Sequence, residues 1–261
     1  MSKAEFVRVE REDGIATVVI DRAEKLNALN PQVIDEIGAA FASLYDDEDV
    51  RGVLLTGAGD KAFVAGADIG VLATMGPLTG VEVSRQGQQV FRRIERFPKP
   101  VVAVIPGYAL GGGCELALAC HLRVASEKAR FGLPEVGLGI IPGYGGTLRL
   151  ARLVGLGRAL EMTLTGEMVG AARAMEIGLV NKVFPPEELH EGARSFLRSI
   201  TKNGPVAVRM ALESVFHALD ASPEDALEFE SSLFGLLAST EDMKEGMGAF
   251  LEKRKPDFKG R

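Results

Sequence analysis

The sequence predicts an α/β fold with parallel strand pairing, followed by a helical C-terminal region. Three observations carry this. Strand and helix signals alternate through the first two-thirds of the chain, which is the pattern of a parallel α/β core. The β-branched run 101–105 reads as a strand buried on both faces. After Pro185-Pro186 the signals are almost all helical.

The elements follow in order. Segments 6–10 and 15–20 read as strands joined through Asp13-Gly14, a strong hairpin signal. Asn30-Pro31 opens a helix, with Asn as the cap and Pro at the first helical position. Behind it Val33, Ile34, Ile37, Phe41 and Leu44 fall at three- and four-residue steps on one buried stripe. Segment 52–56 is a short apolar strand, and a Gly/Ala-rich loop spans 57–70. A helix is predicted over 83–97, ended by Pro98 and Pro100. Further on, Ser222-Pro223-Glu224-Asp225 caps a helix bearing Ala226, Leu227, Phe229, Leu233, Phe234 and Leu237. Met243, Met247 and Phe250 mark a last amphipathic helix. The basic tail 253–261 reads, on its own, as a solvated end.

Composition narrows the function. Of 261 residues 46% are hydrophobic and 25% charged, as in ordinary globular chains. Lys and Arg total 30 against 36 Asp and Glu, a net charge of −6, which disfavours general binding to nucleic acid or anionic membrane. No apolar run approaches the ~18 residues that mark a spanning helix. The charged N-terminus reads straight into a strand and resembles no targeting peptide. Two cysteines, Cys114 and Cys120, form no CxxC pair, so a reducing, cytoplasmic location is expected. With only three histidines and no HxH or HxxxH, a histidine-based metal site is not expected. Neither a P-loop nor a GxGxxG fingerprint occurs.

Three glycine-rich segments concentrate the chemistry: 63–69 (FVAGADI), 107–116 (GYALGGGCEL) and 131–147 (FGLPEVGLGIIPGYGGT). Glycines at a strand–helix junction can serve tight packing alone. They can also aim free backbone N–H groups, at the positive end of a helix, into a cleft. Glu115 bears on the choice, because a carboxylate among Cys114, Leu116, Ala117 and Leu118 is costly without a task. Glu135, flanked by Leu133, Val136 and Leu138, raises the same question. Two carboxylates in apolar surroundings suit acid/base chemistry near neutral pH. Spacing alone equally allows two unrelated capping or ion-paired carboxylates.

In this order the three segments closely resemble the crotonase (enoyl-CoA hydratase) family, nearest its short-chain hydratases. The resemblance runs from Lys25-Leu26-Asn27-Ala28-Leu29 to Phe250-Leu251-Glu252-Lys253-Arg254-Lys255. It implies a spiral of repeated ββα units over 1–196 carrying the active site, and a helical region, 197–261, for trimer contacts. It implies reversible syn hydration of a trans-2-enoyl-CoA to a 3-hydroxyacyl-CoA. Glu115 and Glu135 match the catalytic glutamates, and the N–H groups of Ala67 and Gly112 match the oxyanion hole. A Cβ at Gly112 is expected to meet the thioester or to force an unfavourable φ. Lys25, Ala28, Ala65, Asp68 and Ile69 match segments that wrap CoA, and Gly143 matches the water-side wall. Phe250 and Lys253 match positions that reach a CoA held by the neighbouring subunit of a hexamer built as a dimer of trimers. CoA is part of the substrate, and no metal or other cofactor is implied.

The sequence departs from the family pattern at His121, where an acidic residue is usual, and at Gly70-Val71-Leu72. The variable segment 71–87 lines the acyl pocket in relatives. Two other activities are compatible with the fold. A Δ3,Δ2-enoyl-CoA isomerase would need one glutamate, so retention of both favours hydration. A crotonase-fold RNA-binding protein would carry a basic stripe, which a net charge of −6 disfavours.

Overall fold

The structure, a computed structural model, describes residues 4–261. Strands β1 (Val7–Glu12) and β2 (Ile15–Ile20) pair antiparallel, Val9 opposite Val18. Asp13 (φ 50) and Gly14 (φ 74) both take left-handed backbone, as a tight hairpin turn requires. Helix α1 (Pro31–Tyr45) starts where predicted, and Val33 N–H donates to the Asn30 side chain at 2.8 Å.

The ββα pattern then repeats. β3 (Gly52–Gly57) and β4 (Ala62–Val64) lead to a short α2 (Ile69–Leu72) and a long α3 (Pro77–Glu95). β5 (Val101–Ile105) and β6 (Tyr108–Leu110) lead to α4 (Gly112–Ala119). β7 (Leu122–Ser126) and β8 (Arg130–Gly132) lead to α5 (Gly146–Val154) and α6 (Leu156–Thr165). β9 (Val169–Gly170), α7 (Ala171–Glu176) and β10 (Lys182–Phe184) close the series. From the second unit on, the first strand of each unit joins one sheet, β1-β2-β3-β5-β7-β10, and the second strand joins another, β4-β6-β8-β9. All pairs are parallel except β1 with β2 and β8 with β9. Phe63, Phe91 and Phe131 are the largest fully buried side chains.

Two stretches differ from the sequence reading. The helix expected from residue 83 begins at Pro77. Gly76 N–H donates to Thr79 Oγ1 at 2.9 Å, and Pro77 takes the first helical position. Within the expected loop, Asp68 caps α2 by accepting from Gly70 N–H at 3.0 Å.

Residues 4–97 and 101–194 form one compact unit, and 98–100 with 195–261 form a second. The second holds most of α8 (Leu189–Thr201), and α9 (Pro205–Ala218), α10 (Pro223–Leu237) and α11 (Glu241–Leu251). Ser222 caps α10, accepting from Asp225 N–H at 3.2 Å. The apolar stripes of the last two helices are only partly covered in this chain. Leu227, Phe234, Met247 and Phe250 are all more than half exposed. The basic tail is fastened and not simply solvated. Asp242 accepts from Lys259 N–H at 2.6 Å and Gly260 N–H at 2.9 Å. Among the described residues no helix is long and apolar enough to cross a membrane.

Close backbone approaches at Gly57, Gly107 and Gly113 let the ββα turns stack. Gly113, in the first turn of α4, lies so near the end of β4 that a Cβ there would overlap the Val64 carbonyl. The neighbour is backbone and cannot swing aside. Gly113→Ala is therefore expected to cost about 3 kcal/mol, the upper end for overpacking, or to prevent folding. Gly157→Ala, in open space on α6, is expected to be neutral or stabilising by up to about 1 kcal/mol. Urea denaturation of both variants reads the contrast.

Candidate active site

The site is built from four backbone segments and the turn that carries Glu135. The first two are residues 25–29 and 65–69. Asn27, fully buried with φ 59, accepts from Arg22 N–H and donates to the carbonyls of Ala58 and Ala62. Arg22 Nη1 reaches both the Ala28 carbonyl (3.1 Å) and the Asp68 carboxylate (3.0 Å). That arginine holds the Asp68 carboxyl below its ordinary value. Leu29 N–H donates to Gly66 O (2.8 Å), and Asp68 N–H donates to Leu29 O (2.7 Å). Ala67 lies between those two residues in the parallel bridge. Its own N–H is thereby turned away from Leu29.

The third segment is the β6–α4 junction. Gly111 has φ 50 and ψ −125, a backbone that suits glycine alone. Its N–H donates to Gly132 O at 2.9 Å. The special backbone thus sits at Gly111, whereas Gly112 is an ordinary first helical residue. What restricts Gly112 is the Tyr144 ring, 3.2 Å from where a Cβ would stand. As the first residue of α4, Gly112 has an N–H without an intrahelical acceptor, at the positive end of the helix.

Glu115 is in the first turn of α4 and is 1% exposed. The fourth segment, 143–146, wraps its carboxylate. Oε1 accepts from Tyr144 N–H at 2.8 Å and from Gly146 N–H at 2.7 Å. Burial pushes this carboxyl up to about 7, with the Glu135 charge adding to the rise and the two N–H bonds opposing it. Glu135 sits in a 3-10 turn, Pro134–Leu138, and burial raises its carboxyl too. Its Oε2 is buried with no hydrogen-bond partner among the described residues.

Both carboxylates line one cavity of about 400 Å³ together with Ala65, Ala67, Ile69, Gly112 and Gly143. The structure thus brings together seven of the residues singled out in the sequence. Leu72, Met75, Val83, Leu138, Ile140 and Ile141 supply apolar wall. Lys25, Ala28 and Asp68 are not on the cavity wall. Asp68 belongs to the segment that carries Ala65 and Ala67, and Lys25 and Ala28 belong to the segment hydrogen-bonded to it. Phe250 and Lys253 lie in the second unit, where Phe250 is 82% exposed and Lys253 has φ 55. Tyr144 was passed over in the sequence reading. Its ring lies where a Cβ of Gly87 would be and packs edge-on against Phe91 at 5.4 Å, closing that side of the cavity. A bulky aromatic between Gly143 and Gly145 was the available signal.

The family model described as enoyl-CoA hydratase/isomerase matches residues 10–261. The chain belongs to the enoyl-CoA hydratase/isomerase family. Over 98% of both chains it is 47% identical to a Short-chain-enoyl-CoA hydratase of Clostridium acetobutylicum. It is 45% identical to a Crotonyl-CoA hydratase of Syntrophomonas wolfei, covering 97% of this chain and 98% of the relative. The crystal structure of an enoyl-CoA hydratase from Bacillus anthracis superposes with a TM-score of 0.95 at 38% identity, covering 98% of this chain and all of that one. The spiral architecture of this family is the fold described above.

The Glu115 environment has a thermodynamic consequence. Its carboxyl titrates near 4.5 in the unfolded chain and near 7 in the folded one, so folding takes up a proton between those values. Wild-type stability is therefore lost, relative to Glu115→Gln, as pH rises through that window. The Gln variant's advantage is expected to be smallest below pH 4.5 and to level off above pH 7. It should grow by about 3 kcal/mol between those limits. Denaturation curves at a series of pH values measure it.

Proposed function

We propose that the protein catalyses the reversible syn hydration of trans-2-enoyl-CoA thioesters to 3-hydroxyacyl-CoA. The observation that carries this reading is one cavity lined by two buried carboxylates and by Ala67 and Gly112. Hydration needs both sets of groups. As water adds at C3, negative charge gathers on the thioester oxygen, and two backbone N–H donors stabilise it there. Each such donor contributes about 2.7–4 kcal/mol in comparable sites.

The two carboxyls divide the proton work. Glu115 Oε1 already accepts two N–H bonds, which favour its ionised form. It takes a proton from water as the water oxygen bonds to C3. Burial raises the Glu135 carboxyl, and Glu135 is assigned the delivery of a proton to C2. The two protons are then exchanged with solvent. The reaction calls for no metal or redox group, and CoA enters as part of the substrate. Lys25, Ala28, Ala65, Asp68 and Ile69 are assigned to the CoA-binding rim and Gly143 to the water side.

The acyl chain is proposed to be short. The Tyr144 ring fills the space beside Gly87, and the relatives named above include short-chain and crotonyl-CoA hydratases. With a panel of C4 to C16 enoyl-CoAs, followed by loss of the conjugated enoyl-thioester absorbance, turnover is expected to be fastest at C4. Glu115→Gln and Glu135→Gln should each lose about 10²–10⁴-fold in turnover while still binding acyl-CoA. The double variant should be little worse than the poorer single, because the groups share one step. Near-normal hydration by either single variant would refute the assignment.

The helical region 197–261 is proposed to be the assembly face of a homo-hexamer, a dimer of trimers, in the cytoplasm. A mean hydropathy of +0.12 and the exposed Leu227, Phe234 and Phe250 support an apolar surface covered on assembly. In the assembly Phe250 and Lys253 approach a CoA bound to the adjoining subunit. Light scattering is expected to give a multiple of the 27.8 kDa chain, and a monomer would overturn the proposal. Lys253→Glu should raise KM for acyl-CoA, more so at low salt, with turnover nearly unchanged.

A further inference from the structure

The segment that holds Glu115 is itself held from behind. Arg149, in the first turn of α5, donates from Nη1 to the Tyr144 carbonyl at 2.9 Å. The Tyr144 N–H and the Gly146 N–H both point at Glu115 Oε1. The carbonyl gripped by Arg149 belongs to the peptide between those two donors. Fixing that middle peptide fixes both N–H groups on one oxygen.

Arg149 is locked in turn. Its Nε and Nη2 face the two oxygens of Glu95 at 3.0 and 3.3 Å, a two-pronged pairing with a set geometry. Both side chains are largely buried, at 9% and 17% exposure. The Glu95 carbonyl, at the end of α3, meets His121 Nε2 at 3.2 Å, and His121 Nδ1 accepts from Val101 N–H at 3.0 Å. Burial lowers His121 to about 4, so the ring is a neutral structural link between α3 and β5. Arg149 does not line the cavity.

We propose that Arg149, locked by Glu95, is a positioning residue for hydration: it holds the paired N–H groups on Glu115 and so sets how readily that carboxylate accepts the proton of water. This rests on the reading of Glu115 as the base. The ionisable groups facing Glu115 are Glu135, Arg149, the Tyr144 phenol and the adjacent Cys114 thiol. Of these only Arg149 is cationic, and its charge favours the Glu115 carboxylate. Around Arg149 stand Glu95, the buried Cys120 thiol and, beyond them, His121 and the buried Arg123.

The test compares wild type with Arg149→Lys, Arg149→Met and Glu95→Gln by two readouts. Infrared titration follows the Glu115 carboxyl, identified as the band missing in Glu115→Gln, and needs no turnover. Its midpoint should rise by about one pH unit or more in Arg149→Met. Arg149→Lys, which keeps the charge without the fork, should fall between that variant and wild type, and Glu95→Gln should shift in the same direction. The acid limb of kcat for crotonyl-CoA should move up with the midpoint. At pH 7 that costs about fivefold or more in kcat, recovered at higher pH, with KM within about threefold of wild type. Should Arg149→Met not fold, Arg149→Lys and Glu95→Gln decide. Unmoved midpoints in the folded variants, or a lower kcat with an unmoved acid limb, overturn the proposal and leave a merely structural ion pair. Variants that move the band as expected, beside a wild type that does not hydrate crotonyl-CoA, would overturn the functional reading instead.

Discussion

Backbone stands directly on backbone where the start of α4 meets the end of β4, and the rest of the site depends on that contact. Gly113 allows the approach, with no atom between its Cα and the Val64 carbonyl side. Because the two segments touch, the first residue of the helix comes beside the loop after β4. That places Gly112 and Ala67 on one cavity wall. Gly111 turns the chain into the helix with a backbone that a side chain would oppose. Glu115 then falls one turn inside, out of water, where its charge must be met by the protein itself.

The protein meets it almost wholly with main-chain groups. Two amides hold Glu115, and the bridge to Leu29 orients Ala67. Side chains act one step back. Arg22 ties Ala28 to Asp68, Asn27 ties its loop to the carbonyls of Ala58 and Ala62, and Arg149 grips the Tyr144 carbonyl. Backbone donors are rigid, carry no rotamer entropy and cannot titrate. A charge held by them depends on the fold alone.

That economy explains which parts were legible in the sequence. The hairpin at Asp13-Gly14, the cap at Asn30 and the cap at Ser222 are local devices, and each appears where the residues place it. Glu115 and Glu135 stood out as carboxylates in apolar company, and the ordered glycine segments supplied the family. The start of α3 was missed because its stripe of Val90, Phe91 and Ile94 is confined to the second half, while the first half is capped by Gly76 and Thr79 with little burial. Arg22, Tyr144 and Arg149 were missed for a different reason. Each acts on a segment that the fold, and not local spacing, brings to it. Arg22 and Asp68 are 46 residues apart, and Arg149 and Glu95 are 54 apart. The apolar stripes of α10 and α11 were legible as helix faces, but periodicity alone does not say whether a stripe is covered within its own chain.

Residue 144 joins two tasks through two different parts of one amino acid. Its amide belongs to every possible residue except proline, and that amide is what binds Glu115. Its ring is particular to tyrosine, and that ring shapes the cavity against Gly87 and Phe91. Heritable variation at this codon can therefore remodel the cavity while Glu115 keeps its anchor. The shape of the cavity and the hold on its buried carboxylate are separable here, and a lineage can drift in the first without surrendering the second.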